Sequence, residues 1–373
     1  MDTSDQLAAG AVNLADLAPL AGRKGPFLSL YLVTEADVEN AAQRAETRWK
    51  SVRRDLANEG APEQVLERID ALVPDAHLEG ECLAVIADGE QILHIEHGSA
   101  VGPNDEARWG AVPRLLPIVG WRRSQPAYVV VLTDRTGADL FGLARGIPDV
   151  VHGEVEGDHD EIRKVGPGGW SQRRFQERAE DSWRGNAEQV AERVTKLAES
   201  IRAEFVVVAG DVRAVELLRG ALPDRVGFAV HVVEGERPWD GKGDPLPEET
   251  VDIVERHVRE RGEALMARFA EERGQRDRAA DGIAAAVGAL SRAQVAVLLV
   301  AERGEDDRSL WFGPEPTLVA LHERDLKELG VDSPEQAPAA DVLVRAALGT
   351  GAALRLLEDR QNLRDGVGAL LRW

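Results

Sequence analysis

The sequence predicts an α/β protein of the α+β multidomain kind, in three domains, and three observations predict it. At 373 residues the chain is too long for one ordinary hydrophobic core. Its balance of 43% hydrophobic and 30% charged residues is that of a soluble globular protein. Strand-sized apolar runs alternate with longer helical patterns along the whole chain.

Residues 1–125 are expected to form a first domain. Within it, FLSLYLV from Phe27 to Val33 has the aromatic and β-branched content of a buried strand, and the stretch from Glu35 to Asn58, free of internal Gly and Pro, predicts a helix. A short helix is expected from Pro62 to Leu72, then two strands, Glu81 to Ala87 and Gln91 to Glu96, turned by Asp88-Gly89-Glu90. Pro113 to Trp121 reads as a closing strand.

The second domain, residues 126–274, opens with three strands: Ala127 to Thr133, Ala138 to Leu143 and Val150 to Val155. A glycine loop at 165–172 leads into a helix from about Arg173 to Arg202. A strand from Phe205, a helix from Val212, a strand from Phe228 and a helix from Glu248 then predict a mixed sheet with helices on its faces. Residues 275–373 read as an α-β-α sandwich: helix Arg278 to Leu290, strands from Gln294 and Ser309, helix Asp341 to Leu348, strand Ala353 to Leu357, and a helix around Leu363 to Leu371.

A net charge of -21 argues against binding nucleic acid over the whole surface, so DNA is not an expected partner and any RNA contact must be local. No apolar run reaches the length of a membrane span, and the acidic N-terminus lacks a signal-peptide pattern, so a cytoplasmic monomer is expected. The single cysteine, Cys82, lies in an apolar strand pattern. His152, Asp158, His159 and Asp160 share no metal-ligand spacing, so neither metal nor cofactor is expected.

Two segments depart from the acidic background. Around Gly166-Pro167-Gly168-Gly169, five basic residues (Arg163, Lys164, Arg173, Arg174, Arg178) face one acidic residue, Glu177. Glycine allows close backbone approach and arginine gives forked contacts to phosphate oxygens, which suits a probe into an RNA-lined cavity. The segment Gly166, Gly168, Gly169, Trp170, Ser171, Gln172, Arg173 and Arg174 is therefore the candidate rRNA-contacting loop. In the first domain Arg44, Arg48, Lys50, Arg53 and Arg54 flank Trp49 on one predicted helix, a combination of cations with an aromatic that suits RNA. A flexible surface loop and a solvated helix face remain the simpler readings of the two segments.

The stretch GPGGWSQRRFQERAE, preceded by VVVLTDRTGADLFGL and followed by AEFVVVAG, resembles the middle domain of the archaeo-eukaryotic class-1 peptide-chain release factors and of their bacterial relatives, which include ribosome hibernation factors. The resemblance covers three domains in order. It implies a first domain facing the decoding centre, a middle domain reaching toward the peptidyl transferase centre, and a last domain like kink-turn-binding ribosomal proteins. It also implies contact with the rRNA of both subunits and, through the C-terminal domain, with elongation factor Tu or another translational GTPase.

That family carries Gly-Gly-Gln at the loop tip, then Ser, two residues and Arg-Phe. Gly168, Gly169, Ser171, Arg174 and Phe175 match, and Trp170 stands at the glutamine position. An indole has one donor and no acceptor with which to orient a hydrolytic water, so no catalytic residue is expected. The resemblance then implies a factor that occupies the A site of resting or stalled ribosomes without hydrolysis. The rival is a peptidyl-tRNA hydrolase that rescues ribosomes through Gln172. The family's Asn-Ile-Lys-Ser segment for reading stop codons does not occur in the chain, so codon-directed termination is not expected. A two-metal nuclease on Asp134, Asp139 and Glu154 is a third, weaker possibility, since Asp-rich hairpin turns are common. The acidic C-terminal domain, with 12 basic and 16 acidic residues from Arg276 onward, suits a protein partner better than RNA.

Overall fold

A computed structural model describes residues 11–12, 14–35, 40–78, 80–98, 105–124, 126–144, 150–156, 169–223, 227–235, 237, 247, 249–275, 277–301, 308–357 and 363–373. The chain divides into two compact units, Met1–Arg123 with Arg259–Trp373, and Ser124–Val258. The mixed α/β class is as the sequence predicts.

The first segment of the larger unit holds β1 (Phe27–Val33), α1 (Ala41–Asn58), α2 (Glu63–Asp70), β2 (Cys82–Ala87), β3 (Ile92–Gly98), β4 (Glu106–Gly110) and α3 (Leu116–Ser124). The strands form an antiparallel sheet in the order β3-β2-β1-β4. Both faces of its central strands are covered, which is why FLSLYLV and CLAVIA read as continuous apolar runs. Leu28, Leu30 and Leu32 with Leu83 and Val85 pack under α1 and α2, while Tyr31, Ala84 and Ile86 join the core shared with the C-terminal segment.

The smaller unit holds β5 (Tyr128–Thr133), β6 (Gly137–Leu143), β7 (Val150–Glu156), α4 (Gly169–Ile201), β8 (Phe205–Gly210), α5 (Val212–Ala221) and β9 (Ala229–Val232). Its sheet runs β7-β6-β5-β8-β9, with β5, β8 and β9 parallel and the other two strands antiparallel. Val190, Ala191 and Val194 of α4 and Val215 and Leu218 of α5 cover one face. The other face, with Tyr128, Val130 and Phe205, is covered by Ile253 of α6 (Glu249–Gln275), a helix inside which the unit boundary falls.

After α6 come β10 (Ala279–Asp281), α7 (Ile283–Leu290), β11 (Val295–Ala301), β12 (Ser309–Phe312), β13 (Val319–Ala320), α8 (Glu323–Glu328), β14 (Glu335–Pro338), α9 (Ala339–Gly349), β15 (Ala353–Leu357) and β16 (Val367–Leu371). They form a sheet ordered β10-β16-β11-β15 and a small one ordered β13-β12-β14. The sequence reading separates residues 1–125 from 275–373, yet one core joins them: Leu115, Ile118 and Trp121 pack with Ile283, Leu298, Val344 and Leu354. Val12 also exchanges both main-chain hydrogen bonds with Leu354, at 2.6 and 2.9 Å.

Three element readings are corrected. Pro113 to Trp121, read as a strand, contains the start of helix α3, because Leu115, Ile118, Val119 and Arg122 recur at helical spacing and all are buried; β4 closes the sheet instead. The stretch from Arg278 to Leu290 is a strand and then a helix, broken at Gly282, whose φ of +94° suits glycine. Leu363 to Leu371 is not a helix: β16 sits between β10 and β11 and is buried on both faces, so its sequence shows no alternation.

Candidate functional site

The smaller unit carries the candidate loop between β7 and α4. Gly166 and Gly168 lie outside the described residues. Helix α4 starts at Gly169, four residues earlier than the sequence reading placed it, so Gly169, Trp170, Ser171, Gln172, Arg173 and Arg174 fall in its first two turns. At 3.6 residues per turn, positions 170 and 172 are about 200° apart around the helix axis. Positions 170, 173 and 174 share one side of it.

Side chains from the neighbouring turn hold α4 to the sheet. The turn between β5 and β6 is closed by Asp134, whose Oδ1 accepts from the amides of Thr136 and Gly137 at 2.7 and 2.9 Å. Arg135 then reaches across to Asp211 at 3.2 Å, and its guanidinium lies 4.7 Å from the centre of the Trp183 ring on α4. Asn186, also on α4, donates to the Arg135 carbonyl at 3.0 Å. These contacts fix the helix to the carboxyl ends of β5 and β8. Gly210 makes the close approach possible: with φ of +135°, a Cβ there would lie 1.8 Å from the Thr133 carbonyl oxygen.

Beside this turn, at the carboxyl ends of the parallel strands β5, β8 and β9, lies an open cleft of about 950 Å³. Asp211 caps α5 by accepting from the amides of Arg213 and Ala214. Partial burial pushes its carboxyl pKa up, but the bond from Arg135 and the two capping amides outweigh it and the net shift is downward. Burial acts on Asp134 in the same way and is likewise outweighed by its bonds to Thr136 and Gly137 and by the nearby Arg237.

Of the nuclease candidates Asp134, Asp139 and Glu154, the first two are already engaged, and the side chain of Glu154 lies outside the described residues. Arg237 donates to Asp139 at 2.9 and 3.1 Å and approaches Asp134 at 3.4 Å, so one guanidinium already occupies both carboxylates. His152 stacks on Phe141, with ring centres 5.0 Å apart.

On α1 the arginines Arg44, Arg48 and Arg53 have partners that lie off the helix, and Lys50 has one on it. Arg44 and Arg48 pair with Glu35 at 2.7 and 2.6 Å, and Arg48 also approaches Asp105 at 3.5 Å. Arg53 binds Glu63 at 2.5 Å and Asp70 at 3.0 Å; Lys50 lies 3.8 Å from Glu46. Arg54 is exposed and has no ion-pair partner among the described residues. Trp49, expected as an exposed aromatic, is a core residue: it is 4% exposed and its indole Nε1 donates to Asp70 Oδ1 at 2.6 Å. The helix turns this side chain toward β1 and β2 because Ala45, Trp49 and Leu56 form its buried stripe.

Sequence reasoning missed Arg237 and the buried Arg345 and Asp341, whose partners are brought together only by the fold. Asp139 and Arg237 are 98 residues apart, and no local pattern joins them.

Residues 127–275 match the profile of the bacterial archaeo-eukaryotic release factor family 2. Two Mycobacterium tuberculosis proteins, the uncharacterized protein Rv2629 of strain H37Rv and MT2704 of strain CDC 1551, are each 31% identical to the chain over 364 residues, covering 95% of both partners. Among solved structures, the chain is similar to ribosome-bound archaeal Pelota (12% identity, TM-score 0.41, 97% of this chain and 95% of that one). Archaeoglobus fulgidus Pelota gives 17% identity and a TM-score of 0.36, with 97% and 93% covered. The archaeal translation termination factor aRF1 gives 16% and 0.24, with 100% and 99% covered.

Proposed function

We infer the function from one premise: the chain belongs to the bacterial archaeo-eukaryotic release factors. We propose that it is a cytoplasmic ribosome-binding factor that occupies the A site of resting or stalled ribosomes and silences them without hydrolysing peptidyl-tRNA, in the manner of the hibernation factor Balon. The observation that carries this reading is the family match over 127–275, the segment that contains the glycine loop. Under it, the loop reaches toward the peptidyl transferase centre, its backbone close to rRNA and Arg173 and Arg174 opposing phosphate. Trp170 stands where the family's glutamine would, and an indole supplies no acceptor to a water.

The N-terminal segment would face the decoding centre, with Arg54 and Lys50 as its most available cations on α1 and the paired arginines in reserve. The C-terminal segment would take the protein partner, elongation factor Tu or another translational GTPase. The rival, hydrolysis through Gln172, is weakened by the start of α4 at Gly169: position 172 could replace position 170 only if the first turn of the helix unwound.

Peptide release from stalled complexes carrying labelled peptidyl-tRNA tests the reading, beside a binding assay on the same variants. No release by the wild type or Gln172→Ala is expected, with occupancy lost when Gly168 and Gly169 are both valine. Multiple-turnover release that disappears in Gln172→Ala would establish the hydrolase instead.

A further inference from the structure

Of the three buried arginines of the larger unit, Arg122, Arg345 and Arg355, the first two have opposite surroundings. Arg122, 8% exposed, is held by the carboxylates of Asp16 and Glu96 at 2.7 and 2.8 Å. Arg345, 4% exposed and in the middle of α9, has no ion-pair partner among the described residues. Its terminal nitrogens donate to the carbonyls of Pro314 at 2.6 Å and Glu315 at 3.5 Å, and its guanidinium lies 5.2 Å from the centre of the Phe312 ring. Two carbonyls and a ring face do not neutralise a guanidinium, which has five donors and stays charged. Burial pulls the Arg345 pKa down, and the field of Glu335 offsets this only in part.

A buried cation without an anion is costly, and an anion arriving from outside would offset that cost. Arg345 lines a cavity of about 550 Å³ enclosed by the loop Gly22–Gly25, the end of β12 and the segment that leads into β14. Lys24 also lines it, exposed and with no ion-pair partner among the described residues; Arg23 lines it too but pairs with Asp88 at 3.2 Å. The apolar part of the lining is Phe312, Leu318 and Val331. Glu315, Asp332 and Glu335 also reach the cavity from exposed positions, which disfavours a polyanion such as RNA and admits a compact anion that two cations can balance.

We propose that this cavity binds a small molecule with a carboxylate or phosphate group, the oxyanion pairing with Arg345 and Lys24 and an apolar body lying against Phe312, Leu318 and Val331. The site stands apart from the ribosome reading and survives its failure. Forked donation from Arg345 to two oxygens would replace the missing carboxylate and bring its surroundings to those of Arg122.

The test is thermal unfolding of the full chain titrated with inorganic phosphate, or with acetate, at an ionic strength held constant with chloride. A saturable rise in Tm with at least one anion is expected, and the comparison of the two identifies the preferred head group. Arg345→Met, which keeps the apolar stem, is expected to weaken that anion by at least about tenfold, the worth of a charge-assisted bond. Lys24→Gln, a surface change that leaves the core untouched, is expected to weaken it measurably as well, and decides the matter should Arg345→Met not fold. No saturable shift with either anion, or an unchanged affinity in both variants, would overturn the proposal.

Discussion

The guanidinium of Arg108 on β4 donates to the carboxylate of Asp341 in the first turn of α9 at 2.8 Å, across 233 positions of sequence. Asp341 is 1% exposed, and its second oxygen has no hydrogen-bond partner among the described residues. Burial pushes its carboxyl pKa up, and Arg108 and Arg114 offset this only in part. The pair ties the N-terminal sheet to a helix near the C-terminus, within the one shared core.

Arg108→Ala leaves that carboxylate buried and unpaired, and is expected to cost about 3 to 5 kcal/mol at pH 8, the range for breaking a buried pair from one side. The sign of the pH dependence follows from the raised pKa. A carboxyl that holds its proton more tightly when folded favours the folded state below its unfolded pKa, and that contribution is lost as pH rises through the folded value. The cost should therefore shrink at pH 5. Urea unfolding at the two pH values measures it, and an equal loss at both would contradict the assignment.

Arg122 makes a similar prediction from the opposite pKa shift. Its partners Asp16 and Glu96 both have lowered pKa values: burial pushes each up, but Arg122 and His94 outweigh it, His94 by a direct hydrogen bond in the case of Glu96. Depressed carboxyls contribute stability that is present above their unfolded pKa and lost as pH falls through the folded value. Arg122→Met is expected to destabilise by about 3 kcal/mol at pH 7 and by less as acid protonates the partners, because it strands the buried carboxylate of Glu96, while Asp16 is exposed and stays solvated. Unfolding curves across the acid range that run parallel to the wild type would refute this.

Trp49 separates a structural role from an RNA-binding one. Trp49→Phe keeps the packing against β1 and loses the bond to Asp70, for about 1 kcal/mol, and Trp49→Ala costs about 3 to 5 kcal/mol as a cavity. Ribosome binding by folded Trp49→Phe should match the wild type. A large loss of binding at unchanged stability would return the indole to the RNA surface.

The first-domain site shows why sequence reasoning reached only part of the account. The helix carrying Arg44 to Arg54 was legible because it has no Gly or Pro, and the cations were legible as a count. Their partners Glu35, Glu63, Asp70 and Asp105 lie off the helix, so neither the pairing nor the burial of Trp49 follows from spacing. The strands β1, β2, β5, β8 and β11 were legible as apolar runs bounded by turns. The same signal misled at β16, since a short apolar segment buried on both faces has no period to distinguish strand from helix, and at α3, where the helical spacing of Leu115, Ile118, Val119 and Arg122 is carried over barely two turns. The glycine loop and the helix after it could be found from local composition, whereas the Arg135–Asp211 and Arg237–Asp139 pairs beside them join residues 76 and 98 positions apart.

Sedimentation of ribosomes from growing and starved cells, with the chain followed by immunoblot, tests the central claim most directly. The chain is expected to travel with ribosomes, more of it in starved cells, and to be released as salt rises, because contacts to RNA phosphate are weakened by counterions. A chain that stays at the top of the gradient under both conditions and at low salt would contradict the account.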